Sequence, residues 1–347
     1  MTRKLSYAEA LLEATHQEMA HDPSVVVLGM GVDDFRGIYG TTKGLAETFG
    51  PERCFDTPLS EDAMTGVAIG AALGGMRPIH VHIRMDFVLL CMNQLLNIAA
   101  KARYMYGASV SVPIVVRSVI GRSWGQGAQH SQGLHSLFMH VPGLKVVAPS
   151  TPYDAKGCLV QAIRDNNPVM FVEHRMLHFQ RGTVPEHLYA LPFGHARVLS
   201  PGTDVTIVGI SYMAVESLRA QSLLAEVGIS AEVIDPVSLL PLDVDTIAAS
   251  VAKTGRLLIV DTAWTSCGAT AEIVTAVFER LGGRSVPFRR LGYAAAPCPT
   301  TKNLENLYYP TPATIAQAAH SLVRGDKQPW QPRSVEAPEV VEFKGPF

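Results

Sequence analysis

Two polar segments of the sequence carry side chains that could do chemistry. In the first, a turn over residues 56–60 leads into a predicted helix, with Glu61 in or near its first turn. That carboxylate could share a proton with a ligand or complement the helix dipole, and Ser60 or Thr57 could cap the helix. In the second, the glycine-rich run 121–132 holds His130, which is either a proton donor or acceptor toward a substrate or a loop histidine with a structural partner.

Elements that must position these residues follow a regular alternation. Strands are predicted at 25–28, 79–83, 112–116, 146–148, 169–172, 205–210, 231–234 and 257–260. Helices are predicted at 7–20, 63–73, 87–106, 154–165, 213–227, 244–254 and 269–281. Short apolar runs alternating with amphipathic stretches of helix length are typical of βαβ units, so the sequence predicts an α/β fold with mostly parallel sheets.

The alternation breaks once, over residues 182–194, which contain two prolines and have no clear period. We therefore predict two domains, residues 1–195 and 196–325. The remainder, 326–347, is rich in Pro, Glu and Val and is predicted to be an extended tail.

Composition and charge argue against several classes of protein. A formal charge of −2 gives no electrostatic reason to expect a nucleic acid or an anionic membrane as partner. No run approaches the ~20 apolar residues that span a bilayer. The five cysteines are scattered with no C-x-x-C pair, and neither a P-loop nor a G-x-S-x-G motif occurs. We expect a cytoplasmic protein with reduced thiols.

Several stretches, taken in order, resemble the β subunit of the E1 components of 2-oxo acid dehydrogenases, such as the pyruvate and branched-chain enzymes. In the first domain they are 57–73, 125–132, 145–157 (KVVAPSTPYDAKG) and 162–174 (AIRDNNPVMFVEH). In the second they are 233–242 (VIDPVSLLPL), 255–264 and 297–310, which are similar to the C-terminal domain shared with transketolase. The resemblance implies a pyrimidine-binding domain for thiamine diphosphate followed by a transketolase C-terminal-like domain.

The resemblance also implies roles for individual residues. Glu61 would activate thiamine diphosphate through a hydrogen bond to its aminopyrimidine ring, and His130 would lie near the reacting centre. Residues lining the aminopyrimidine would be Leu59, Met85 and Phe87. A monovalent cation, K⁺, would be held largely by backbone carbonyls at Ile114, Ala162, Ile163, Asp165 and Asn167.

Partners follow from what the family places on other chains. An α-type subunit supplies the diphosphate-binding domain, whose G-D-G motif holds Mg²⁺, and no G-D-G occurs in this sequence. The resemblance therefore implies an α2β2 heterotetramer, with a lipoyl-bearing E2 protein as a further partner. Glycines at every fourth position of the predicted helix 63–73 would let another backbone approach closely.

The sequence departs from the family pattern where substrate would bind. The family usually has an acidic residue at the positions of Val81 and His135, and often an aromatic or small residue at those of Arg84 and Met85. Arg84 and Arg122 add positive charge, either for an anionic substrate such as a phosphorylated sugar or for carboxylates of the α subunit.

Three functions remain open at this point. The first is decarboxylation of a 2-oxo acid with acyl transfer to a lipoyl acceptor. The second is a split transketolase or carboligase that passes its unit to an aldehyde or sugar. The third is a non-catalytic scaffold, against which the presence of Glu61 and His130 argues.

Overall fold

The computed structural model describes residues 3–122, 125–325, 330–333 and 335. The predicted tail at 326–347 lies almost wholly outside the described residues. The chain divides into two compact units. Unit 1 contains the described residues of Met1–Ile120, Leu137–Val147 and Thr151–Phe193, and unit 2 contains those of Gly121–Ser136, Ala148–Ser150 and Gly194–Phe347.

Unit 1 is built on a parallel sheet. Its strands are β1 (Lys4–Ser6), β2 (Val25–Leu28), β3 (Cys54–Phe55), β4 (Arg77–His82), β5 (Val115–Ile120), β6 (Lys145–Val147), β7 (Val169–His174) and β8 (Arg181–Thr183). The sheet has the order β6-β7-β5-β4-β2-β3 with every neighbouring pair parallel, while β1 and β8 form a separate antiparallel ribbon. The valine-rich strands are buried on both faces, as a parallel sheet requires.

Helices connect these strands. They are α1 (Tyr7–His21), α2 (Gly37–Gly40), α3 (Leu45–Phe49), α4 (Glu61–Leu73), α5 (Met85–Val88), α6 (Ala100–Met105) and α8 (Pro152–Arg164), while α7 (His135–Met139) begins with two residues of unit 2 and ends in unit 1. Local sequence explains several starts: Ser6 and Glu9 form a capping box at α1, and Thr151 caps α8 ahead of a proline in the first turn. The single helix predicted at 87–106 is instead interrupted by a 3₁₀ turn (Leu89–Cys91) and a π-helical stretch (Asn93–Ala99).

Unit 2 is a second α/β layer structure. Its strands are β9 (Arg197–Ser200), β10 (Val205–Gly209), β11 (Ala231–Asp235), β12 (Ser238–Leu240), β13 (Leu257–Val260) and β14 (Phe288–Leu291). Its helices are α9 (Tyr212–Ala225), α10 (Val244–Thr254), α11 (Ala269–Arg280), α12 (Lys302–Glu305) and α13 (Pro312–Arg324). The main sheet has the order β14-β13-β10-β11-β9 and is parallel except for the edge strand β9.

The predicted α/β class with mostly parallel sheets is thus confirmed. Asp243 caps α10 by accepting from Thr246 N, and Thr311 caps α13 with a proline at its first turn. Within the described part of the chain, no helix combines the length and apolarity needed to cross a membrane.

Candidate active site

Glu61 lies at the carboxyl edge of the unit 1 sheet. It is the first residue of α4, which follows β3, and the segment 84–87 follows β4 at the same edge. The carboxyl ends of parallel strands form the crevice in which open α/β sheets bind ligands. The fold therefore brings Glu61 and the predicted residues of segment 84–87 to a ligand-binding edge.

The Glu61 carboxylate is half-buried and has no hydrogen bond or ion pair to any residue that the structure describes. The predicted capping by Ser60 or Thr57 is wrong: Ser60 is the N-cap residue but makes no side-chain bond. Its backbone, at φ −158° and ψ 68°, departs from the conformation of a capping serine. The neighbouring Asp62 instead accepts from Ala63 N at 2.8 Å. Glu61 thus keeps its oxygens available for a ligand.

The floor beneath Glu61 is buried and uncharged near pH 7. Thr65, one turn further along α4, lies with its hydroxyl 3.0 Å from the Cys91 sulfur and 3.4 Å from Nδ1 of His80. Burial lowers the pKa of His80 to about 4. Burial, together with the carboxylates of Glu61 and Asp62, raises the pKa of Cys91 to about 11. No positive charge from these groups competes for the Glu61 carboxylate.

Residues predicted to line the aminopyrimidine differ in exposure. Leu59 is 76% exposed and Phe87 is partly exposed, so both offer apolar surface to a flat heteroaromatic ring. Met85 is fully buried, so its side chain offers no exposed surface to a ring.

Arg84 is also buried, with 3% of its surface exposed. Burial lowers the pKa of Arg175 to about 10, and the charge of Arg84 contributes in the same direction. The Arg175 guanidinium lies over the ring of Tyr39, 4.4 Å from its centroid. Arg84 therefore belongs to a buried cationic cluster of unit 1.

Two of the residues predicted for a monovalent cation, Ile163 and Asp165, contact the guanidinium of Arg77 in unit 1. Its Nη1 donates to the carbonyls of Ile163 at 3.0 Å and Asp165 at 3.2 Å. The carbonyls of Ile114 and Ala162 accept from backbone amides, and the Asn167 side chain donates to Asp165 Oδ1. A cation here would have to share two carbonyls with Arg77. Among the described residues, no group of three or more His, Cys, Asp or Glu side chains is placed to hold a metal ion.

His130 belongs to unit 2. It follows a 3₁₀ turn (Gly127–Gln129) and is partly exposed. In the same segment Arg122 donates from Nη2 to Asn306 Oδ1 at 2.9 Å and lies over the ring of Tyr309 at 4.9 Å. These contacts anchor Arg122 within unit 2. The sequence suggested two other roles for it, which were binding an anionic substrate and pairing with carboxylates of the α subunit.

Two buried polar clusters were missed by the sequence analysis. In unit 1, Arg117 on β5 forms a two-point ion pair with Glu173 on β7, at 2.6 and 3.0 Å, and His178 lies 3.2 Å from the same carboxylate. In unit 2, His135 pairs with Asp261 at 3.0 Å. A charged residue among apolar ones, such as Arg117, is a sequence signal of a buried ion pair. Its partner Glu173 lies too far along the sequence to be found from spacing.

Comparison with known proteins identifies the family. Residues 3–179 match the family description "Transketolase, pyrimidine binding domain", and residues 194–315 match "Transketolase, C-terminal domain". The chain is 46% identical over 338 residues to the acetoin:2,6-dichlorophenolindophenol oxidoreductase subunit beta of Cupriavidus necator, covering 94% of this chain and 100% of that protein. The chain belongs to the E1 β-subunit family. The chain is also 41% identical to the pyruvate dehydrogenase E1 component subunit beta of Porphyra purpurea, and the match covers 93% of this chain and 98% of that protein.

A solved structure shares the fold. The split gene transketolase, described as an inactive β4 tetramer, superposes with a TM-score of 0.74 at 23% identity, over 92% of this E1 β-type chain and 99% of that chain. The resemblance to E1 β subunits is therefore confirmed, and the chain is a β subunit of the thiamine-diphosphate-dependent 2-oxo acid dehydrogenase and transketolase type.

Proposed function

We propose that this β-type chain completes a thiamine-diphosphate site with an α-type partner and cleaves the bond next to a ketone carbonyl. The observation that carries the proposal is the Glu61 carboxylate, which lies at the carboxyl edge of the parallel sheet without a protein partner among the described residues. Thiamine diphosphate, when bound, stabilises the negative charge left on the carbonyl carbon after its neighbouring bond breaks. The residues of unit 1 fit its aminopyrimidine half.

Each residue has a proposed role. Glu61 shares a proton with a ring nitrogen of the aminopyrimidine, and neither His80 nor Cys91 places a competing positive charge beside it. Leu59 and Phe87 supply the apolar surface against which a flat ring packs. His130, partly exposed in unit 2, orients or protonates the reacting substrate or the acceptor.

Two substrate classes have support. Similarity to pyruvate dehydrogenase E1 β subunits supports a 2-oxo acid that loses carbon dioxide, with acyl transfer to a lipoyl group on an E2 protein. The acetoin oxidoreductase subunits of Cupriavidus necator and Bacillus subtilis, at 46% and 40% identity, support a 2-hydroxy ketone such as acetoin instead. The split transketolase is similar only at the level of the fold, so transfer to a sugar has the weaker support.

The assembly belongs to the proposal as well. An α-type subunit would contribute the diphosphate-binding half and Mg²⁺ in an α2β2 heterotetramer. K⁺ would bind at Ile114, Ala162, Ile163, Asp165 and Asn167, sharing the carbonyls of Ile163 and Asp165 with Arg77. Exposed glycines on α4, with the exposed Val67 and Leu73 beside them, offer a surface for subunit contact. The proposed boundary between the two domains lies between residues 195 and 196. The proposed location is the cytoplasm.

The test is reconstitution. The chain is co-expressed with an α-type subunit from the same genome and assayed with thiamine diphosphate and Mg²⁺, using 2,6-dichlorophenolindophenol as electron acceptor. Pyruvate, branched 2-oxo acids, acetoin and a ketose phosphate are compared at equal concentration. We expect turnover that requires thiamine diphosphate and is highest on acetoin or a 2-oxo acid. An assembled heterotetramer that shows no thiamine-dependent turnover on any of these would contradict the proposal.

A further inference from the structure

The segment that carries His130 is fixed to unit 2 on both sides. We call residues 125–136 the His130 segment. Before His130, a Cβ added to Gly127 would overlap the Thr300 side chain within 2.6 Å, so the backbone there lies against Thr300. After His130, a Cβ on Gly133 would overlap the carbonyl oxygen of Thr262. Close approach, and not a left-handed backbone, is why residue 133 must be glycine.

A buried pair of side chains holds the same segment two residues further along. Nε2 of His135 donates to Oδ2 of Asp261 at 3.0 Å, since a carboxylate can only accept. Neither side chain is more than 1% exposed. Asp261 directly follows β13, and its backbone N–H donates to the carbonyl of Leu291 at the end of β14, at 3.1 Å. The backbone that carries the carboxylate is therefore held at the ends of these two strands. The pair thus joins the His130 segment to the end of the unit 2 sheet.

The imidazole of His135 depends on this one bond. Its Nδ1 is buried and has no hydrogen-bond partner among the described residues, and neither has Oδ1 of Asp261. A buried polar group that loses its single partner is left with the full cost of its desolvation. The ring therefore has one favoured orientation, and the backbone on either side of it is fixed with it.

We propose that His135 and Asp261 are positioning residues for His130. They lie too deep to touch substrate, and they act by fixing the backbone that carries the His130 imidazole, a role that rests on the proposed function of His130. A displacement of about 1 Å at a reacting group can cost about a hundredfold in rate. Loss of the pair should therefore lower kcat more than it changes KM.

The test uses the reconstituted heterotetramer and three variants. His135→Leu removes the hydrogen bond at similar volume, and His135→Gln keeps an N–H close to the position of Nε2. We expect His135→Leu to lower kcat about tenfold or more with KM little changed, and His135→Gln to recover most of the loss. His320→Leu, the same change at a buried histidine of α13, is the matched control and should leave kcat unchanged.

A double-mutant cycle separates positioning from general stability. If His135 acts through His130, His135→Leu should have less than about a twofold effect on kcat in a His130→Ala background. Hydrogen exchange of the peptide covering 125–136 gives a second readout that needs no activity: exchange should become faster in His135→Leu and stay unchanged in His135→Gln. Should His135→Leu fail to assemble, Asp261→Leu removes the same bond from the other side.

Equal losses of kcat in the wild-type and His130→Ala backgrounds, or unchanged exchange over 125–136, would overturn the positioning role. That failure differs from failure of the proposed function. The latter appears in the wild-type heterotetramer as the absence of any turnover that requires thiamine diphosphate, before any variant is made.

Discussion

The buried ion pair of Arg117 and Glu173 leads to a prediction about stability whose size follows from the structure. Both side chains are fully buried, and two hydrogen bonds join them. Burial by itself raises the pKa of Glu173, but Arg117 and His178 together outweigh it and lower the pKa from 4.5 to about 2. At 1.36 kcal/mol for each pKa unit, this shift contributes about 3 kcal/mol to the free energy of unfolding when Glu173 is ionised.

The sign fixes the pH range. The pKa of Glu173 is lower in the folded than in the unfolded state, so the contribution is complete above about pH 4.5 and is lost as the pH falls toward 2. Glu173→Gln leaves the Arg117 guanidinium buried without its counter-charge, which costs about 3–5 kcal/mol. We expect this loss in urea unfolding at pH 7, and a smaller difference from wild type as the pH is lowered below about 4.5.

A matched control exists in unit 2. Glu226 pairs with Arg333 at 2.9 Å, but both side chains are about half exposed or more, so Glu226→Gln should change stability little. If Glu173→Gln lost no more stability than Glu226→Gln at pH 7, burial would not be what gives the Arg117 pair its strength. The reasoning from dehydration would then be refuted.

Three other predictions concern the site. Glu61→Gln should lower kcat about a hundredfold or more, since a positioned acid–base group contributes a factor of about 10²–10⁴ to the rate. Asp62→Asn, a change at the exposed neighbouring residue, should keep normal turnover. Equal kcat values in the two variants would contradict the role of Glu61. Arg84→Met should depress kcat/KM on acetoin and on a phosphorylated ketose alike, because only 3% of Arg84 is exposed, and a loss confined to the phosphorylated substrate would show direct contact. Replacing choline chloride by KCl at equal ionic strength should raise the Tm if K⁺ binds beside Arg77 at the carbonyls of Ile163 and Asp165. An unchanged Tm would contradict the proposed cation site.

Local pattern was enough to predict most of the fold. Strands β2 and β13 and helix α10 have the predicted bounds, because uninterrupted valine, leucine and isoleucine runs and an Asp243 cap are signals within a few residues. The edge strands β9 and β14 were missed, since half-exposed strands lack a continuous apolar run. The break within 87–106 also left no local signal, because that stretch contains neither a proline nor a glycine.

The candidate site was predictable only in part. Glu61 and the glycine-rich segment around His130 stand out by residue type and by position beside a helix or strand. Partners such as Asp261 for His135, 126 residues away, cannot be found from spacing in one sequence. The same holds for Arg77, whose guanidinium meets carbonyls more than 80 residues later in the chain. Exposure also escaped prediction, which is why Arg84 seemed available to a substrate.

The membership of residues 121–136 in unit 2 has a consequence for how such proteins can be divided and recombined. The chain leaves unit 1 after Ile120, returns at Leu137, enters unit 2 again briefly at Ala148–Ser150, and leaves unit 1 for the last time after Phe193. A single cut at Gly194 would therefore separate Asp261 and Thr300 from the residues that cover them, His135 and Gly127. The two halves of the chain are interleaved, so exchanging either half between relatives requires carrying the intervening segment along with the C-terminal half.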